Sequence, residues 1–162
     1  MAAATRATQD PLLQRFTRVP AGQTEEDLRR VFRGFEAERK AGETLVLAVA
    51  DARTDEFLGT ISLLRFAWAE CTADVGYWLA PEAQGRGVVT RALALLSRWA
   101  LTDSGPGLGL GLKTLGLYTD VDNFASQRVA ERRGFTREEV LAANETCDWR
   151  GVELVRFSRS GP

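Results

Sequence analysis

Histidine is missing altogether from the 162 residues. Its absence removes the usual general base, the commonest zinc ligand and any Ser-His or Cys-His nucleophile pair, so chemistry here has to run on carboxylates, hydroxyls, thiols or water. Cysteine is scarce: Cys71 and Cys147 lack the close pairing of metal ribbons and redox motifs, so they read as free thiols and no metal is expected. No apolar run reaches the ~18 residues of a membrane span. The start Met1-Ala-Ala-Ala-Thr-Arg6 does not have the charged-then-apolar layout of a signal peptide, which predicts a soluble, cytoplasmic protein with no membrane partner. An excess of charge of one sign is also missing. With 21 basic and 22 acidic residues the formal charge is −1, so no global field holds a nucleic acid and any anionic ligand must be gripped locally. Lysine appears only as Lys40 and Lys113, an arginine bias that suits forked contacts to phosphate or carboxylate but also follows from genome composition.

The length fits one domain over residues 1–162 with enough apolar content for a core. Thr24 opens a predicted helix as cap, with Asp27 at its third position; Leu28, Val31, Phe32 and Phe35 share a face and Gly42 ends it. Thr44–Ala50 and Phe57–Phe66 read as an antiparallel hairpin around the polar turn Asp51–Asp55, and Ala73–Leu79 as a third strand stopped by Pro81. Val88, Ala92, Leu95, Leu96 and Trp99 then recur at helical spacing, a helix expected to pack on the sheet. Thr102–Gly111, with its glycines and Pro106, reads as a mobile connector, followed by a strand over Leu112–Thr119. Asp122 or Asn123 caps a short helix ending at Arg133, with Gly134 as a left-handed stop closed by Phe135. Arg137–Ala143 and Asp148–Ser158 are the last two strands. The result is an α/β (α+β) pattern with mainly antiparallel neighbours, which argues against a doubly wound dinucleotide fold.

The segment with most chemistry in it runs strand, Pro81, glycine turn, helix: Asp74 to Thr90. A glycine turn entering a helix leaves several backbone N–H groups pointing one way without partners, where the helix dipole adds partial positive charge, so a diphosphate is favoured. Gly85 and Gly87 allow close approach, and Arg86, Thr90 and Arg91 add donors. The spacing is neither a Walker loop nor a three-glycine dinucleotide fingerprint. By itself it fits a tight structural turn equally well.

Gln84, Gly87 and Val89 occupy the places of Arg/Gln, two residues, Gly, one residue, Gly/Ala. Together with Gly76-Tyr77-Trp78-Leu79, Pro81, Asn123 with Ser126, Glu131-Arg-Arg-Gly-Phe135 and Asp148-Trp-Arg-Gly, they resemble the GNAT acyltransferases over nearly the whole chain from about Asp10. The likeness is to the RimJ/RimL-like subfamily, which includes ribosomal-protein N-terminal acetyltransferases. The resemblance implies a mixed, mainly antiparallel central sheet flanked by helices. It implies an acetyl-CoA-dependent N-acetyltransferase acting on a primary amine, a small molecule or a protein N-terminus. It also implies that the backbone of Leu79 pairs with the pantetheine arm and that the amides of Gln84, Gly85, Arg86, Gly87, Val88, Val89 and Thr90 hold the diphosphate. Asn123 would hydrogen-bond the arm, and Ser126 would lie near the sulfur as a proton donor to the leaving thiolate. Both residues also suit plain helix capping.

An ammonium with a pKa of roughly 10.4, or roughly 8 for an α-amine, cannot attack until it loses a proton. Asp74 is the first candidate base, with Glu82, Asp120, Glu145 or an ordered water as alternatives; Asp74 as a structural carboxylate that ties down a loop is the competing role. Trp68, Tyr77, Trp78, Tyr118 and Trp149 are candidates for the acceptor side or for ordinary core, and Asp120, Glu145 and Asp148 for attracting a cationic amine. Two departures from the family stand out. Val89 replaces a small residue, and the family's first strand has no counterpart, because Arg6–Pro20 reads as the region after most of its first helix. The second departure would leave a sheet edge that invites a partner chain such as a second copy. Both also motivate an alternative: a catalytically impaired CoA-binding regulatory or interaction module.

Overall fold

The computed structural model describes residues 1–17, 19–103, 105, 108–143 and 151–161. The chain divides into two compact units, Met1–Leu64 with Gly76–Val89, and Arg65–Val75 with Thr90–Pro162.

The first unit begins with helices α1 (Ala2–Ala7) and α2 (Pro11–Phe16). In α2, Asp10 caps by accepting from the Leu13 amide at 2.8 Å and Pro11 takes the first helical position, where its missing N–H costs nothing. Helix α3 (Glu25–Ala41) has the expected limits: the Thr24 hydroxyl accepts from the Asp27 amide, the Asp27 carboxylate returns a bond to the Thr24 amide, and Gly42 closes the helix at φ 74°. Its apolar face is less covered than its spacing suggests. Leu28 is buried, Phe32 and Phe35 are half-buried and Val31 is exposed. Strand β1 (Leu45–Ala50) pairs antiparallel with β2 (Phe57–Ala67) from Leu45↔Leu63 to Val49↔Gly59, a hairpin turned by Asp51, whose carboxylate accepts from the Arg53 and Thr54 amides. Strand β3 (Thr72–Leu79) ends in this unit, where Ala80 donates to the Leu58 carbonyl and a single 3-10 turn follows over Pro81–Ala83.

In the second unit, β3 starts parallel to β4 (Thr114–Asp120), in register from Thr72↔Thr114 to Val75↔Leu117. Strand β6 (Leu154–Ser160) runs antiparallel to β4 and to β5 (Thr136–Leu141). The strand order is β1-β2-β3-β4-β6-β5, a mainly antiparallel mixed sheet as expected. Leu115, Leu117, Val155 and Phe157 are fully or nearly fully buried, because alternate residues of a strand face the same side. Helix α5 (Phe124–Arg132) is capped by Asn123 and followed by Gly134 at φ 75°, with Phe135 buried and its amide bonded to the Ala130 carbonyl. The strand expected from Asp148 begins at Leu154; residues 148–150 lie outside the described ones.

Two expectations change. Helix α4 (Val88–Leu101) buries Val88, Leu93, Leu96, Ser97 and Ala100, while Leu95 is 60% exposed and Trp99 is also exposed. Leu95 and Trp99 fit an apolar stripe by spacing alone, but the helix is rich in leucine and alanine, so two stripes were available and the core took the one with alanine and serine at its close contacts. The connector after α4 also differs. Among its described residues, Gly109, Leu110, Gly111 and Leu112 donate to carbonyls of Asp103, Trp99, Thr102 and Ala100, satisfying the open end of the helix. The corrected α4 face is testable by chemical denaturation: Leu93→Ala is expected to cost about 2–5 kcal/mol and Leu95→Ala no more than about 0.5 kcal/mol.

Candidate active site

The turn before α4 is built by two glycines. Gly85 and Gly87 both stand at φ 70°, a left-handed conformation that costs other residues energy, one on each side of Arg86. Residues Gln84 to Gly87 are exposed. The amides of Gly85, Gly87, Val88 and Val89 have no carbonyl partner among the described residues. The turn is nonetheless held from behind. Gln84 donates its side-chain amide to the Leu79 carbonyl at 3.4 Å, Arg86 donates to the Glu82 carbonyl at 3.4 Å, and Leu58, Leu79, Ala83 and Val88 form a buried cluster beneath it. Val89, the bulky departure from the family pattern, packs against that cluster, so its extra volume fills core. A rigid row of open N–H groups at the positive end of a fourteen-residue helix is suited to a diphosphate.

Leu79 and Gln84 to Val89 lie in the first unit. Asp74, Thr90, Asn123 and Ser126 belong to the second. Thr90 is half-buried in the first turn of α4. Asn123 caps α5, its side-chain oxygen accepting from the Ser126 amide at 3.1 Å, which joins the two residues and uses the asparagine oxygen but not its NH2 group. Upstream, the Asp120 carboxylate accepts from the Asp122 amide at 2.7 Å and Gln127 donates to the Val121 carbonyl at 2.8 Å, so the entry to α5 is tied down on both sides.

Asp74 has a defined environment that sequence reasoning missed. Arg65 donates its Nε to Asp74 Oδ2 at 2.7 Å and lays its guanidinium 5.5 Å from the centre of the Tyr118 ring. Arg65 does this from φ 50°, an uncommon conformation for a residue with a side chain. Opposite, Gly116 leaves room for the carboxylate, because a Cβ at that position would run into Asp74 Oδ1. The isolated glycine in an apolar strand was the available signal of a close approach; nothing in the sequence marks Arg65. Asp74 Oδ1 has no hydrogen-bond donor among the described residues. Of the aromatic candidates, Trp78 packs on Phe57 with centroids 5.7 Å apart and the exposed Trp68 stacks on Phe66 at 4.7 Å. Glu82 is exposed. Glu145, Asp148, Trp149 and Cys147 lie outside the described residues.

Residues 1–136 match the acetyltransferase (GNAT) domain. The chain belongs to this acetyltransferase family. It is similar to the ribosomal-protein-serine acetyltransferase of Escherichia coli K12, 34% identical over 124 residues, a stretch that is 76% of this chain and 64% of that protein; the chain thus spans less than two-thirds of that relative. Among solved structures, the fold matches RimL, a ribosomal L7/L12 α-N-protein acetyltransferase in complex with coenzyme A. That match has a TM-score of 0.82 at 20% identity and covers 99% of this chain and 86% of the other. The microcin C7 self-immunity acetyltransferase MccE, in complex with acetyl-CoA and AMP, matches at a TM-score of 0.71 and 27% identity, over 85% of this chain and 72% of the other. The acetyltransferase domain contains no group of metal-ligating side chains among its described residues. No described helix is long and apolar enough to cross a membrane.

The close fit of Asp74 over Gly116 predicts a non-additive pair. Gly116→Ala should destabilise the domain by about 2 kcal/mol through overpacking. In an Asp74→Ala background the added cost should fall below about 0.5 kcal/mol, because the next neighbour, Tyr118 Cε2, is at an ordinary 3.6 Å. A double-mutant cycle by urea denaturation measures it, and equal costs in both backgrounds would sink the assignment.

Proposed function

We propose that the domain is an acetyl-CoA-dependent N-acetyltransferase that moves an acetyl group onto a primary amine by direct attack on the thioester, over a single domain of residues 1–162. The observation that carries this is the row of unpartnered amides at Gly85, Gly87, Val88 and Val89, in a chain of the acetyltransferase family. With Gln84, Arg86 and Thr90 they would hold the diphosphate. Leu79 would offer its backbone to the pantetheine arm. The ladder of β3 toward β4 ends at Val75, short of Leu79, which supports that use of the strand. Asn123, whose NH2 remains after capping, would donate to the arm, and Ser126 would protonate the departing thiolate.

Transfer needs an amine nitrogen with a free lone pair beside the thioester carbon: the C–N bond forms, the C–S bond breaks and a proton leaves the nitrogen. Asp74 is the proposed proton acceptor, with its Oδ1 as the receiving oxygen, since Arg65 occupies Oδ2. That same ion pair supports a second reading, a domain that binds CoA without turnover. Release of free CoA thiol that depends on added amine separates the two. Relatives named for a ribosomal-protein serine and for ribosomal L7/L12 make a protein N-terminus the first acceptor to try, and the spermidine acetyltransferase among the structural neighbours makes a polyamine the second. The reading places the protein in the cytoplasm, where acetyl-CoA and free amines meet, as a homodimer.

Titration calorimetry with acetyl-CoA, using ATP and NAD as controls, is the direct test, with saturable binding expected for acetyl-CoA alone. Gly87→Trp, which forces a side chain into a left-handed position and removes open amides, should weaken that binding by about tenfold or more. Unchanged affinity would remove the cofactor site from this turn.

A further inference from the structure

The ion pair at Asp74 is only half made. An arginine beside a carboxylate commonly lays two of its nitrogens on the two oxygens, because the planar guanidinium fork matches the carboxylate. Here, within the second unit, Arg65 uses Nε alone, on Asp74 Oδ2 at 2.7 Å. Its two terminal nitrogens and Asp74 Oδ1 have no hydrogen-bond partner among the described residues. The arrangement is held nonetheless. The guanidinium lies 5.5 Å from the centre of the Tyr118 ring, and the Arg65 backbone stands at φ 50°. Gly116 keeps the ground beside Oδ1 clear, since a Cβ there would run into that oxygen. Neither partner is sealed from solvent, the arginine side chain being 44% and the aspartate 20% exposed. One accepting oxygen and a set of donating nitrogens therefore stand open side by side, joined through a single hydrogen bond.

We infer that Arg65 and Asp74 together select an amine whose adjoining carbon bears a carbonyl or carboxylate, the N–C–C=O unit of a peptide N-terminus or of an amino acid. The inference rests on the proposed role of Asp74 as proton acceptor and names the acceptor class that goes with it. Asp74 Oδ1 would receive the amine, and a terminal nitrogen of Arg65 would donate to the oxygen. A guanidinium only donates, so the group next to the reacting amine has to accept. A polyamine offers methylenes and a second ammonium there: the methylenes leave the donors unpaired, and the guanidinium repels the ammonium. Arg65 thus acts as a specificity residue as well as a positioning one. Water competes for donors that are partly exposed, so the discrimination is expected near tenfold rather than the ~10⁴-fold of a sealed hydrogen-bonding pocket.

Acetyl transfer from acetyl-CoA, followed as release of the CoA thiol, tests it with a peptide that begins with serine, free serine, and ethanolamine, which is serine without its carboxylate. Wild type is expected to prefer the peptide or serine over ethanolamine. Preference for the peptide assigns the oxygen to a carbonyl, and preference for serine to a carboxylate. Arg65→Gln should lower kcat/KM for the preferred acceptor relative to ethanolamine by about tenfold. That ratio is independent of how much of the variant is folded and of any general slowing through a displaced Asp74. Arg65→Lys keeps the charge on a single nitrogen and should lower the same ratio by less. An equal fall on all acceptors makes Arg65 a support for Asp74 alone and overturns the inference while the transfer reading stands. A wild type that acetylates ethanolamine or spermidine as readily as the serine acceptors overturns it too. Saturable acetyl-CoA binding with no amine-dependent release of thiol overturns the transfer reading, and the inference with it.

Discussion

Backbone amides that have lost their partners are what the proposed active site depends on. A helix always begins with N–H groups that its own hydrogen bonds cannot reach, and most helices satisfy some of them with a capping side chain, as Thr24 and Asn123 do here. Helix α4 does the opposite. Its approach is two left-handed glycines on either side of Arg86, neither of which has a side-chain oxygen to offer, so the amides stay open. Keeping open donors in place requires support from elsewhere. The cluster of Leu58, Leu79, Ala83 and Val88 beneath the turn supplies it, with Val89 and Val49 packed against it. The apolar residues around the glycines are thus as necessary to the proposed anion site as the glycines themselves.

That division explains why this part was readable from the sequence. Left-handed turns demand glycine, helix starts and stops demand caps, and both leave a mark at fixed spacing, so Thr24 with Asp27, Gly42, Pro81, Gly85 with Gly87, and Gly134 with Phe135 all stand where expected. Most strands were legible too, because alternation and turn chemistry mark them locally, but the last was expected from Asp148 and begins at Leu154. What could not be read depended on which of several equivalent local choices the tertiary structure used. In α4, leucines and alanines cover most of the helix, and spacing could not say that Leu93 would go inside and Leu95 outside. Thr102–Gly111 looked like slack chain because the bonds that Gly109, Leu110 and Gly111 make back toward the helix end come from main chain and carry no residue signature.

The surroundings of Asp74 show the limit most sharply. A carboxylate on the strand before the turn was visible, and so was the ambiguity between proton acceptor and structural anchor. What gives Asp74 its character is Arg65, nine residues earlier on the neighbouring strand, which bonds it from a left-handed backbone conformation. An ion pair between partly exposed groups contributes little stability by itself. Strain in the backbone and a glycine cleared to make room are more than such a pair needs for stability alone, so the arrangement is better understood as fixing where the carboxylate lies than as holding the strands together. Fixing matters for acetyl transfer, since a direct attack draws its acceleration from orientation rather than from a covalent intermediate.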